Sequence, residues 1–86
     1  MTTLIILLQA AASGAALAKI GAAIGSAIVV LGASFGIGKI GSSALESMAR
    51  QPEAAGDIRS SMVVAAALIE GVSFFAIIIC ALAILL

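Results

Sequence analysis

Tryptophan, tyrosine and histidine are absent from this chain of 86 residues, which holds one cysteine, one proline and three phenylalanines. Each absence removes a class of chemistry. Without histidine there is no imidazole for metal ligation or for acid–base work near neutral pH. Cys80 has no partner for a disulfide within the chain, and its setting among Ile77, Ile78, Ile79 and Ala81 reads as a small apolar filler. Charge is equally sparse. Four basic and four acidic side chains leave a net charge of zero, so there is no cationic footprint for nucleic acid.

What is present is aliphatic. Hydrophobic residues make up 64% of the chain and the mean hydropathy is +1.38, whereas apolar residues form about half of a soluble domain. The natural solvent for such a composition is lipid. A chain this short closes no large core of its own, so oligomerisation is expected. The apolar start, Met1 to Ala12, lacks the cationic region that begins a secretory signal, and it is read as mature sequence.

The eight charges are unevenly placed. Glu46, Arg50, Glu53, Asp57 and Arg59 cluster around the only proline, Pro52, and divide two long apolar arms. A helix rarely continues through the residue before proline, and proline suits the first turn of the next helix. The division is therefore an N-terminal extension over 1–13, helix 1 over 14–49, a polar loop over 50–53 and helix 2 over 54–86. The extension either lies at the outer membrane interface or continues helix 1. Each arm exceeds the roughly 20 residues that cross a bilayer, and only helices satisfy their backbone groups there as open segments. The predicted fold is an all-α membrane protein, an antiparallel hairpin of two transmembrane helices. Arg50, Arg59 and Lys39 outweigh Lys19, which places the loop on the cytoplasmic side and both termini outside. Lys19 and Lys39 are expected to snorkel toward opposite interfaces.

Helix 1 is rich in small residues, among them Gly14, Gly21, Gly25, Gly32, Ser34, Gly36, Gly38 and Gly41. Glycine costs a helix up to about 1 kcal/mol relative to alanine, so the series points to a compensating gain from close packing, as in small-xxx-small membrane interfaces. The small residues occupy more than one strip. That suits crowding on both flanks, which a closed ring of copies requires. Gly25, Gly32, Gly36 and Gly38 are the predicted packing positions, with the bulkier helix 2 on a wider outer circle facing lipid.

Glu70 is the one charged side chain between Arg59 and the C-terminus. An ionised carboxylate near the bilayer centre costs at least about 2.5–3.5 kcal/mol on insertion scales, so the neutral acid is expected at rest. Such a group is neutral when loaded and charged when empty, and it passes through lipid in only one of those states. A fixed cation and a water path on a partner would turn it into a gated carrier. A pore in which rings of Glu70 line an aqueous path is the alternative, and a small multidrug exporter is disfavoured by the two spans and the missing Trp and Tyr.

These features resemble the c-subunit, the proteolipid that forms the c-ring of the rotary F-type ATP synthases. The resemblance rests on Gly32-x-Ser34-x-Gly36-x-Gly38, on the loop Ala49-Arg50-Gln51-Pro52-Glu53, and on a carboxylate 18 residues after Pro52. It covers the chain from about Gly14 onward, and the loop is more similar to bacterial and plastid members than to mitochondrial ones. It implies a non-catalytic rotor component in the bacterial inner membrane, assembled as a homo-oligomeric ring in lipid. The implied partners are the a-subunit, with its stator arginine, and the central-stalk subunits gamma and epsilon. Glu70 is then the ion-binding carboxylate, and Arg50, Gln51 and Pro52 form the stalk-contact loop. No cofactor is implied, only a transported ion. Sodium-type members resemble one another in carrying Gln at the position of Ile37 and Ser or Thr at that of Gly71. This chain has neither oxygen, and Ser34 and Ser73 are the only nearby hydroxyls, so H⁺ is the expected ion.

Overall fold

In the computed structural model, which describes all 86 residues, α1 spans Thr2–Arg50 and α2 spans Ala55–Leu85, joined through Gln51 and a single 3₁₀ turn, Pro52–Ala54. Only Met1, Gln51 and Leu86 fall outside a helix. The two helices run antiparallel as a slender hairpin 76 Å long. Both are long and apolar enough to cross a membrane.

The turn follows from one residue. Pro52 forces its predecessor out of helical geometry, and Gln51 sits at φ −130°, ψ 70°. The restriction reaches no further back, so Arg50 is the last residue of α1 rather than the first of the loop. The Gln51 N–H donates to the Ser47 carbonyl at 2.8 Å and closes the helix. Pro52, with no N–H to satisfy, begins the 3₁₀ turn, and Asp57 in the first turn of α2 meets the positive end of its dipole.

The extension over 1–13 is not a separate element. Helix α1 runs through it from Thr2, because no proline interrupts the segment and Ser13 and Gly14 do not break a helix whose neighbours favour one.

Two contacts fix how the helices meet. A Cβ built on Gly25 would stand 3.2 Å from Cys80 Sγ, and one on Gly36 would stand 3.1 Å from Ile69 Cδ1. These pairs share one antiparallel register, which sets Glu70 level with Phe35 and Leu86 level with Lys19. Thr2–Ala18 therefore project past the end of α2 by about 25 Å at the helical rise. Gly25 and Gly36 are the glycines against which α2 side chains pack, so a side chain added at either requires Cys80 or Ile69 to give way.

Gly14, Gly21, Gly32 and Gly38 have nothing within 4 Å of a built Cβ. The predicted packing glycines thus divide into two sets: Gly25 and Gly36 serve the hairpin, and Gly32 and Gly38 remain open. Only Ala22 and Ala44 are buried anywhere in the chain. Helices this apolar on every side belong inside a larger apolar medium or assembly.

The register predicts that a Gly25→Cys variant forms an intrachain disulfide with Cys80 under mild oxidation, read by mass spectrometry of cleaved fragments. Adding Gly36→Leu should lower that yield, because overpacking of about 1–3 kcal/mol pushes the helices apart. Adding Gly32→Leu should leave it unchanged. Equal yields in all three variants would contradict the register.

Candidate functional site

Depth comes from the helical rise. Glu70 lies about 16 Å along α2 from Arg59, half of a hydrocarbon core roughly 30 Å thick. With Arg59 at one interface, Glu70 is therefore near the midplane. Lys39 stands level with Ala66, within about 6 Å of Glu70 in height. By helical rotation it falls on the opposite side of α1 from Ile37 and Gly41, which wall Glu70's groove.

Azimuth decides what Glu70 can touch. The α2 residues turned toward α1 recur at Ile58, Met62, Ala65, Ile69, Ser73 and Cys80, with helical spacing. Glu70 follows Ile69 by one residue, so it is rotated about 100° from that line and is exposed on one flank. There it borders a groove walled by Ile37, Ile40 and Gly41 of α1 and by Met62, Val63, Ala66 and Ala67 of α2. The groove is open to the side and offers about 370 Å³. Side chains of another helix fill such a space better than isolated solvent.

The predicted site residues do not all meet. Ile37 and Glu70 share the groove, and Ile37 offers no oxygen. Ser34 stands exposed on the same flank of α1, about one turn from Ile37. Ser73 instead lines a second groove on the opposite flank, with Val29, Gly32, Ala33, Leu68, Ile69, Val72 and Ala76. Gly71 is exposed on the outer face of α2, with nothing within 4 Å of a built Cβ. One hairpin thus carries two half-sites at similar height on opposite flanks. The flank with Glu70 carries the carboxylate; the other carries Gly32, a bare backbone, and the Ser73 hydroxyl.

The sequence names the members of both grooves but not their separation, which depends on knowing which side of each helix faces its partner. Arg50, Gln51 and Pro52 stand together at the turn, all exposed. No cluster of His, Cys, Asp and Glu suited to a metal ion occurs.

The family model for the ATP synthase C-subunit matches residues 20–83. It begins next to Lys19, where α2 stops covering α1. The ATP synthase c-subunit of Phocaeicola vulgatus is 61% identical over 83 residues, which is 96% of this chain and 98% of that protein. The one from Bacteroides thetaiotaomicron is 58% identical over 77 residues, 90% of this chain and 91% of its own length. A more distant relative, the ATP synthase c-subunit of Latilactobacillus sakei, is 43% identical over 58 residues, 67% of this chain and 83% of its own. The projecting start of α1 therefore lies outside the family model and largely inside the match to the Phocaeicola protein. With two membrane-spanning helices, the turn at Pro52 and 64 residues under the family model, this integral membrane chain belongs to the ATP synthase C-subunit family.

Proposed function

We propose that this chain is the rotor-ring component of the membrane sector of a bacterial F-type ATP synthase, carrying protons by reversible protonation of Glu70. The ring couples its rotation to ATP synthesis or, in reverse, to hydrolysis. The chain is not itself a catalyst; its work is translocation.

The observation that carries this reading is the position of Glu70. It is the one carboxylate in α2 beyond Arg59, near mid-depth, on a flank rather than in the hairpin contact. Facing lipid, it must be neutral; facing a cation in a polar channel, it can be charged. An arginine of the stator a-subunit would supply that cation, since the hairpin has none on Glu70's flank at that depth. Each unit charge moved through 100 mV is worth about 2.3 kcal/mol. Several carriers acting in turn thus accumulate the work that a remote catalytic step requires.

The ring itself is supported by the two half-sites on opposite flanks and by the open glycines Gly32 and Gly38, which let neighbouring α1 helices approach. Arg50, Gln51 and Pro52 are the surface offered to the central-stalk subunits gamma and epsilon. That end is cytoplasmic by its excess of Lys and Arg, with both termini outside the bacterial inner membrane.

The carried ion is H⁺. Sodium requires several oxygen ligands in place of its hydration shell, as hard cations do, and around Glu70 the groove offers aliphatic walls. Ser34 and the neighbouring copy's Ser73 can hydrogen-bond a neutral acid, but two hydroxyls with one carboxylate make a poor sodium cage.

Carbodiimide modification requires the protonated acid and tests the assignment. On the purified ring it should label Glu70, slow as pH rises, and be unaffected by NaCl at fixed ionic strength. Protection by millimolar sodium would overturn the proton assignment. For the loop, Arg50→Ala combined with Gln51→Ala should leave the ring assembled and weaken its association with the soluble catalytic sector in a pull-down. Wild-type association would contradict the loop's role.

A further inference from the structure

The loop end of the hairpin carries charge that its own chain does not neutralise. Glu46 and Arg50 stand four residues apart on α1, the acid N-terminal to the base, which is the favourable order for a pair along one helix. Asp57 and Arg59 have no such arrangement. Two residues apart on α2, they point about 200° from each other. Arg59 precedes Glu70 by three helical turns, so it shares the Glu70 flank. Asp57 lines a groove on the opposite flank, beside Ala44, Ser47, Ile58 and Ser61.

Local effects account for one of these charges and not the other. Asp57 lies in the first turn of α2, where the helix dipole favours an anion. The same dipole disfavours a cation there, and Arg59 is only two residues, about half a turn, further on. Arg59 also sits where Ser60 begins the apolar run, at the edge of the bilayer, where an ion pair is less screened than in open water. It is exposed in the hairpin and lacks a partner on its own flank.

We propose that the loop-end rim of the ring is held by an intersubunit ion pair, Arg59 of each copy bonding Asp57 of the next. This inference rests on the ring reading above. The two residues differ in height by only about 3 Å, and the long arginine side chain bridges the lateral gap between neighbouring hairpins. Because all copies are identical, every interface carries one pair and the last closes on the first.

The charge pattern also selects the geometry of assembly. With the cation on one flank and the anion on the other, hairpins are complementary only head to tail. A two-fold dimer would set Arg59 against Arg59 or Asp57 against Asp57, which like-charge repulsion penalises. Head-to-tail contacts are those that close into rings.

The test uses the full chain assembled in membranes and purified as a ring. Arg59→Asp and Asp57→Arg should each speed ring dissociation in SDS at least about tenfold, because each sets like charges against one another at every interface, and the double swap should restore most of it. A double swap no better than the worse single variant overturns the pair and assigns Arg59 to anionic lipid headgroups instead. A second measurement does not depend on ring stability: in a Cys80→Ser background, Asp57→Cys with Arg59→Cys should give, on oxidation, a ladder of cross-linked copies. An intact ring that yields only monomers on denaturation contradicts the proposal. A wild-type chain that forms no ring at all contradicts the ring reading itself.

Discussion

The constraint on which everything else depends is the obligation of a chain in lipid to satisfy its own backbone. Nearly every peptide group does so inside a helix: 74 of 78 backbone hydrogen bonds lie within helices, and the remaining four cap a helix end or close the turn. Water cannot substitute in hydrocarbon. Once both arms are helical, a single turn at Pro52 is the only freedom left, and it folds the chain into a hairpin.

A hairpin so made is unfinished. Two alanines are its whole buried set, while large apolar side chains such as Phe35 and Val72 remain 81% and 73% exposed. Lipid can cover the outer faces, but it does not explain the bare glycine backbones of Gly32 and Gly38 or the grooves on both flanks. Copies of the same chain do. The division among the glycines then has a physical meaning: Gly25 and Gly36 lie against α2, and the open ones are where the proposed ring would seat a neighbour. Glu70, one residue past the contact line, stands exposed on one flank of the hairpin, which in the proposed ring is the boundary between copies.

Much of this is legible in the sequence because it depends on local chemistry. Pro52 marks the turn, the charges around it mark an interface, and Glu70 stands alone in an apolar run. The extension is harder to place. Residues 1–13 are apolar without a polar face, so neither periodicity nor charge distinguishes an interfacial helix from a continuation, and the structure gives the latter. The sorting of Gly36 from Gly38, or of Ser73 from Ser34, is equally hidden. In a helix apolar on all sides no stripe reveals which side meets the partner; that is set by packing between α1 and α2. The same lack of contrast hides the opposite facing of Asp57 and Arg59, which becomes informative only once the hairpin contact line is known.

The central claim is that one carboxylate carries the proton. Glu70→Gln keeps size and hydrogen bonding but cannot ionise, and it should assemble a normal ring. The decisive measurement is ATP-driven proton uptake into inverted membrane vesicles holding the whole complex with this variant ring. Uptake should fall to background, while Glu70→Asp, which still titrates, should retain a reduced rate. Uptake at the wild-type rate with Glu70→Gln would contradict the assignment of Glu70 as the carrier.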